Sequence, residues 1–284
     1  MDHFRTITEH YWCLITIFAL SGITLLSCGG AQAITENAPS RDISLMIEEV
    51  EVDAFHNIYI LDKKNKIRKF NKSLQETYFY ADNTLGKIQN IDISDPLKIL
   101  AYKKDYGTII QLDNTLNEIN RIELPALGFN QVPAVGGSAD DQFWIYDAQD
   151  YKLKKMDFSG RVVAESINMA EYNLLNLEPS MIFEKKGKLI IQDEEMGVLL
   201  FDNLAEYIQT FPIFSDSEVQ FDGDKILYYA DSNLKYYDTA LYADGEIDIS
   251  SETNNNPISV KADKLYTYYI YRNGLNRSDR PSER

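Results

Sequence analysis

A pattern of short strands recurs about every forty residues through most of this chain, and it constrains the fold more than any other feature. Each copy has an apolar run, a polar turn, and a second strand that ends in a large apolar residue followed by Asp or Asn. The apolar runs lie within Asn57–Asp62, Leu97–Tyr102, Gln142–Asp147, Lys188–Asp193 and Lys225–Tyr229. The closing residues are Phe70, Leu112, Met156, Phe201 and Tyr237, at spacings of 42, 44, 45 and 36 residues.

A period of about 40–50 residues built from four short strands is typical of one blade of a β-propeller. The second strand of a blade lies between neighbouring blades, so both of its faces must be apolar, as in Ile58–Leu61. The third strand alternates instead, as in Lys66–Phe70. The Asp or Asn that follows can accept a hydrogen bond from the backbone two residues on and so begin the turn to the outermost strand. The chain is therefore predicted to be an all-β propeller.

A sixth unit begins near Pro257, where Val260–Leu265 resembles Val219–Ile226 and Tyr266–Tyr271 supplies an apolar strand. This last unit is short of outer strands, so we expect the N-terminal segment Asp42–Ile47 to complete it. Six blades over residues 42–272 is the favoured prediction, and five blades with an appended hairpin is the alternative. A β-sandwich or barrel ranks third, because such folds repeat about every 8–12 residues without a longer period. The basic segment 273–284 is predicted to be a disordered tail.

The pattern as a whole resembles the six-bladed propellers of the NHL-like type found in many bacterial envelope lipoproteins. It contains neither the Trp-Asp dipeptide of WD40 repeats nor the paired glycines of kelch units. The resemblance covers nearly all of the chain after residue 41. It implies a fold and does not imply any particular catalytic residue.

The N-terminal segment carries a second resemblance. Residues 11–26 are almost uninterruptedly apolar and end in Leu25-Leu26-Ser27-Cys28, which resembles the lipobox of bacterial lipoproteins. That likeness implies a signal peptide over 1–27, a lipidated Cys28 and a tether over 28–41. It also implies a place in the bacterial cell envelope, with Gly29 rather than Asp favouring the outer membrane. The alternative is a short, uncleaved N-terminal anchor helix.

Charge and cysteine content limit the possible partners. The formal net charge is −16, and removal of residues 1–27 leaves it near −15, so nucleic acid is a poor candidate partner. Most acidic residues are interpreted as solvated faces, including the runs Glu48–Glu51, Asp140-Asp141 and Asp193–Glu195. Cys13 lies in the signal segment, so the exported domain must be stabilised by its core rather than by a disulfide.

Few residues suggest chemistry. His56 is the one histidine after the signal segment and is predicted to be an exposed loop residue, and no nucleotide or zinc motif is present. Five carboxylates near the ends of the innermost strands are weak candidates for an axial calcium site, although turn formation explains them more simply. They are Asp53, Asp92, Asp140, Glu184 and Asp222. The favoured hypothesis is a binding scaffold without a cofactor, for an envelope protein or polysaccharide. The alternative is a calcium-dependent hydrolase or lactonase.

Overall fold

The computed structural model of the chain describes residues 42–82, 84, 86–138, 140–215, 217–249 and 256–280. The predicted signal peptide, the predicted lipidation site Cys28 and the whole of the predicted tether lie outside the described residues, as do residues 281–284. Within the described part of the chain, no helix is both long enough and apolar enough to cross a membrane. Short 3₁₀ helices at Lys104–Tyr106, Leu124–Leu127 and Met169–Tyr172 are the helical elements of that part.

The described residues form a six-bladed β-propeller, as predicted. Each of the first five blades is an antiparallel sheet of four strands in chain order, and the sixth has three. The first three blades contain β1 (Ile47–Val52), β2 (Ile58–Asp62), β3 (Lys66–Phe70), β4 (Glu76–Ala81), β5 (Asn90–Asp92), β6 (Lys98–Lys103), β7 (Thr108–Asp113), β8 (Glu118–Glu123), β9 (Val135–Gly137), β10 (Gln142–Asp147), β11 (Lys152–Asp157) and β12 (Val162–Glu165). The last three contain β13 (Pro179–Lys185), β14 (Lys188–Asp193), β15 (Gly197–Asp202), β16 (Tyr207–Phe211), β17 (Gln220–Asp222), β18 (Lys225–Ala230), β19 (Asn233–Asp238), β20 (Ala243–Ile247), β21 (Ser259–Ala262), β22 (Tyr266–Tyr271) and β23 (Gly274–Asp279).

Apolar side chains pack between the blades rather than within one central core. The described residues form six hydrophobic clusters, and each cluster joins two neighbouring blades. The second strands contribute most, since β2 is buried along its whole length and Trp144 and Tyr146 of β10 are almost fully buried. One cluster joins Ile58 of the first blade to Tyr268 of the sixth, so the ring is closed. A closed ring of six excludes the five-blade and sandwich alternatives.

The N-terminal segment completes the sixth blade, as predicted, through a short bridge. Ile43 pairs antiparallel with Leu275 of β23, and both side chains are buried. The prediction of a disordered tail after residue 272 is wrong, because Gly274–Asp279 is the third strand of this blade. The polar residues Asn276, Arg277 and Ser278 gave no strand pattern in the sequence. The strand forms because it pairs with β22 and because Leu275 is buried.

The turn between the third and fourth strands repeats around the ring, as the sequence predicts. In the first four blades one Asn or Asp side chain accepts hydrogen bonds from the backbone N–H groups two and four residues on. These side chains belong to Asn71, Asp113, Asp157 and Asp202. The fifth-blade turn departs from this pattern, because Asp238 accepts from Ala240 and Leu241, and Tyr242 takes φ +53°. The Asx turn thus supplies the connection that the antiparallel sheet requires.

Candidate functional site

A cavity of ≈ 130 Å³ lies on the axis of the propeller, where the first strands of several blades converge. Its lining includes Glu51 and Asp53 of the first blade, Asp92 of the second, Lys185 of the fourth, and Glu218 just before β17. It extends to the loops that join the first and second strands. A second cavity of ≈ 380 Å³ shares Glu218 and contains Gln192 and Ser215.

Side chains from some first strands bond the first strand of the adjacent blade around the axis. The first strand of each blade leaves one edge without a neighbouring strand, so its backbone N–H groups need other acceptors. Carboxylates and one amide supply three of these acceptors. The bonds are Ile91 N–H to Glu49 Oε1 at 3.1 Å, Gly137 N–H to Asp92 Oδ2 at 2.7 Å, and Ala262 N–H to Gln220 Oε1 at 2.8 Å.

Four charged residues meet on this axis, and we call them the axial cluster: Glu49, Glu51, Glu218 and Lys261. One carboxylate oxygen from each glutamate lies within 4.8 Å of the others. The Lys261 ammonium forms an ion pair with Glu51 and lies 3.4 Å from Glu218 Oε2. The side chains of Lys261, Glu51 and Glu218 are 5 %, 18 % and 29 % exposed, so the cluster is shielded from water most strongly at Lys261.

The environment of the axial cluster favours protonated carboxyl groups. Burial raises the pKa of Glu51 to about 8, with Lys261 opposing this shift and Glu218 adding to it. Burial also raises the pKa of Glu49 well above its usual value, and the charges of Glu218 and Glu51 add to that effect. The Glu51 side chain is 18 % exposed and is part of the lining of the axial cavity.

The structure does not bring the five sequence-predicted carboxylates together. Asp53 accepts hydrogen bonds from the backbone of Phe55 and Asn57 and so forms a turn. Asp92 lies in the axial cavity, where burial raises its pKa, and it accepts from Ser94 N–H and Gly137 N–H. Both residues therefore already have backbone donors.

Of the other three candidates, Asp140 and Glu184 lie together between the third and fourth blades, where both contact Ser138 Oγ and the Lys155 ammonium. Asp222 lies elsewhere and is paired with Arg280 at 3.0 Å. Glu184 is buried and accepts from Trp144 Nε1 at 2.7 Å and from Ser138 Oγ at 2.7 Å. Turn formation and inter-blade pairing explain these five residues.

His56 differs from its prediction as an exposed loop residue. Its side chain is 23 % exposed, and Nδ1 lies 2.7 Å from Asp263 Oδ2 of the sixth blade. The same carboxylate oxygen accepts from Tyr268 Oη at 2.7 Å. His56 thus joins the first blade to the sixth.

Calcium does not fit the residues present. Ca²⁺ requires about six to eight oxygen ligands, and the predicted carboxylates are dispersed. The axial glutamates are close enough to share a cation, but the ammonium group of Lys261 already contacts two of them. A divalent ion there would be repelled by this resident positive charge.

Sequence reasoning missed the axial cluster because Glu48-Glu49-Val50-Glu51 reads as an ordinary solvated run. Glu48 is exposed as expected, whereas Glu49 and Glu51 point towards the axis. The signal that could have located them is the alternation Glu49-Val50-Glu51, in which Val50 is buried on one face of β1 and the two acids share the other face. Lys261 is 210 residues from Glu51, so only the closed ring reveals their pairing.

Comparison with protein-family models and with curated proteins returns no match. Solved structures share the propeller fold at low identity. A streptogramin B lyase structure is 12 % identical over 87 % of this chain and 86 % of its own, with a TM-score of 0.53. The Pan2 WD40 domain of Neurospora crassa is 10 % identical over 85 % and 80 %, with a TM-score of 0.51. BamB from Moraxella catarrhalis superposes more loosely, at 12 % identity over 85 % and 78 % and a TM-score of 0.42.

The strand topology defines a six-bladed β-propeller, and the streptogramin B lyase and Pan2 structures share the propeller fold. At such identities the likeness concerns the fold alone. The function has to be argued from this chain's own surfaces.

Proposed function

We propose that this protein is a lipid-anchored binding module of the bacterial cell envelope, whose propeller docks another envelope protein or an envelope polysaccharide. The proposal joins two separate lines of argument. The N-terminal lipobox-like run supports the anchor, and the distribution of exposed apolar side chains supports the docking role.

One observation carries the docking role. In an up-and-down antiparallel blade, the turn between the first and second strands and the turn between the third and fourth lie at the same end. We call this end of the ring the loop face. The four most exposed large apolar side chains among the described residues all lie there: Leu241 at 75 %, Tyr242 at 70 %, Leu204 at 66 % and Phe55 at 64 %. Leu97 and Leu265 also lie in loops of this face and are more than half exposed.

The opposite end of the ring also carries exposed apolar side chains, each between 51 % and 55 % exposed: Met46, Tyr106, Ile167, Leu175 and Phe214. The loop face is distinguished by the higher exposure of its four leading side chains, and strongly exposed apolar groups are typical of protein interaction sites. The axial cavity extends to the loops of the same face, so a docked partner would also cover its opening.

A binding role explains the charged groups better than hydrolysis does. His56 is the one histidine outside the signal segment, and its Nδ1 is held by Asp263 as part of a blade contact. Lys261 pairs with the axial glutamates that could otherwise serve as acid and base. In a Ser–His–Asp arrangement a carboxylate likewise holds Nδ1 and the nucleophile bonds Nε2, but no nucleophile is bonded to Nε2 of His56 among the described residues.

The anchor is argued from sequence. A diacylated Cys28, with a third chain on its amino group, would hold the domain stably, since about 0.8 kcal/mol is gained for each buried methylene. The following Gly29 supports placement in the outer membrane.

In-cell crosslinking tests the proposal. A C-terminally tagged chain is crosslinked, extracted with detergent and purified, and bound proteins and glycans are identified by mass spectrometry. Cys28→Ala is the matched control. We expect one stoichiometric envelope partner with the native chain and its loss with the control. A native chain that is membrane-bound but carries neither protein nor polysaccharide would contradict the docking role, and a Cys28→Ala chain that stays membrane-bound would contradict lipid anchoring.

A further inference from the structure

The axial cluster holds more negative charge than its one lysine can neutralise. Glu49 and Glu51 come from β1, Glu218 precedes β17, and Lys261 comes from β21. Three other charged groups face the same cavity: Asp53 just after β1, Asp92 from β5 and Lys185 from β13. With all three glutamates ionised, three negative charges would surround one ammonium group in a site of low water content.

Lys261 occupies the position where the ring closes. It extends from the sixth blade to Glu51 of the first and to Glu218 of the segment that leads into the fifth. Its contacts therefore connect the last blade to both of its neighbours. The pKa of Lys261 is raised, since the charges of Glu51 and Glu218 outweigh burial, so it remains an ammonium over the physiological range.

Glu49 is the acid with an unused oxygen. Its Oε1 accepts from Ile91 N–H, whereas its Oε2 is buried and has no hydrogen-bond partner. A buried carboxylate oxygen without a donor is costly, and a proton on it converts the group into a neutral donor.

We propose that the axial cluster is a proton-dependent clasp between the sixth and first blades, with Lys261 as its built-in cation in place of a metal ion. Below neutral pH a proton on the cluster reduces repulsion among the glutamates and leaves Lys261 paired. As the pH rises, the proton is lost, the repulsion grows, and the closure of the ring weakens. The inference stands independently of the docking partner.

The direction of the pH dependence follows from the raised carboxyl pKa values. A group whose folded-state pKa exceeds its unfolded value contributes stability below the unfolded pKa and loses it as the pH rises through the folded pKa. For Glu51 this window extends from its ordinary pKa of 4.5 to about 8. Lys261 keeps its contribution throughout this window, because its pKa is raised from 10.5.

The test measures the melting temperature of the full-length protein between about pH 5 and about pH 8. Glu49→Gln keeps the shape and an acceptor for Ile91 N–H but removes one charge. We expect the melting temperature of the native protein to fall more steeply over this range than that of Glu49→Gln, and the variant to be the more stable of the two near pH 8. Equal slopes for the two proteins would overturn the proposal.

A second variant tests the built-in cation. Lys261→Met is expected to lower the melting temperature by at least about 6 °C and to make it rise again on addition of millimolar calcium. Lys152→Met removes the partner of Glu165 from a more exposed ion pair and serves as the matched control. We expect calcium to leave the native protein and the control unchanged. Stabilisation of the native protein by calcium would overturn the proposal. If Lys261→Met does not fold, the calcium response of the native protein and the pH profile of Glu49→Gln still decide the proposal.

Discussion

The backbone N–H of Ile43 donates to the carbonyl oxygen of Leu275 at 3.1 Å, and the N–H of Leu275 donates back to Ile43 at 2.9 Å. These two hydrogen bonds join the beginning of the described chain to its last strand. Asp42 adds a side-chain contact, since its Oδ2 accepts from Arg277 N–H at 2.8 Å. The bridge gives the three-stranded sixth blade a partial fourth strand at its outer edge.

Ile43→Ala should therefore destabilise the protein. Ile43 is 5 % exposed and packs against Leu275, so its truncation leaves a cavity at the seam. We expect a loss of about 2–4 kcal/mol in the free energy of unfolding, measured by urea denaturation. Met46→Ala, at a side chain 53 % exposed, is the control and should cost less than about 0.5 kcal/mol. Equal effects of the two substitutions would show that the bridge does not close the ring.

Gly136 and Gly137 offer a matched pair on β9. A Cβ at Gly136 would lie 2.1 Å from the carbonyl oxygen of Ile182, whereas a Cβ at Gly137 would meet nothing closer than 3.6 Å. Gly136→Ala should cost about 3 kcal/mol or more because the first strands of two blades would be pushed apart. Gly137→Ala should be nearly neutral by the same denaturation assay. A neutral Gly136→Ala would contradict the close approach of β9 and β13.

Glu184 should matter for stability rather than for metal binding. It accepts from the indole of Trp144 and lies 3.5 Å from Lys155. Glu184→Leu leaves a buried indole N–H and a buried ammonium without this acceptor, and we expect a loss of about 2–5 kcal/mol in the free energy of unfolding. Glu184→Gln retains a neutral acceptor and should lose less. Thermal or urea unfolding distinguishes the two, and a larger loss for Gln than for Leu would contradict this role.

The fold could be predicted from the sequence because the apolar runs of the repeat coincide with the buried strands. Strands such as β2 and β10 must be apolar on both faces, and the Asx turn after each third strand needs Asp or Asn. The strand Gly274–Asp279 escaped prediction because pairing and the single buried Leu275 define it more than its composition does. The axial cluster was not predicted because Lys261 approaches Glu49 and Glu51 only in the closed ring. The sequence around the two glutamates does not indicate this long-range contact.

Acid sensitivity should come partly from the repeated turn. Hydrogen bonds from Thr115 and Asn117 lower the pKa of Asp113 to about 2, outweighing the opposing effect of burial. A group with a depressed folded-state pKa contributes stability above its unfolded pKa and loses it as the pH falls through the folded pKa. Between about pH 4 and pH 2 the native protein should therefore lose stability faster than Asp113→Asn.

The first blade supplies a natural precedent for that substitution. Asn71 makes the same turn as Asp113, with its Oδ1 accepting from Ser73 and Gln75. Asp113→Asn should consequently be well tolerated near neutral pH. Urea unfolding of the native protein and of the variant is measured near neutral pH and at about pH 3. Identical acid slopes for the two proteins would contradict a contribution from this carboxylate.

The loop face is the centre of this account, and partner capture with a loop-face variant tests it most directly. Leu241→Asp with Tyr242→Ser removes its two most exposed apolar side chains without touching a blade interface. Leu175→Asp, in the connection to β13 at the opposite end of the ring and 53 % exposed, is the matched control. With all chains anchored and expressed equally, the account predicts at least a tenfold loss of crosslinked partner for the double variant, equivalent to about 1.4 kcal/mol, and no loss for the control. Undiminished capture by the double variant, or equal loss from both, would contradict docking through the loop face.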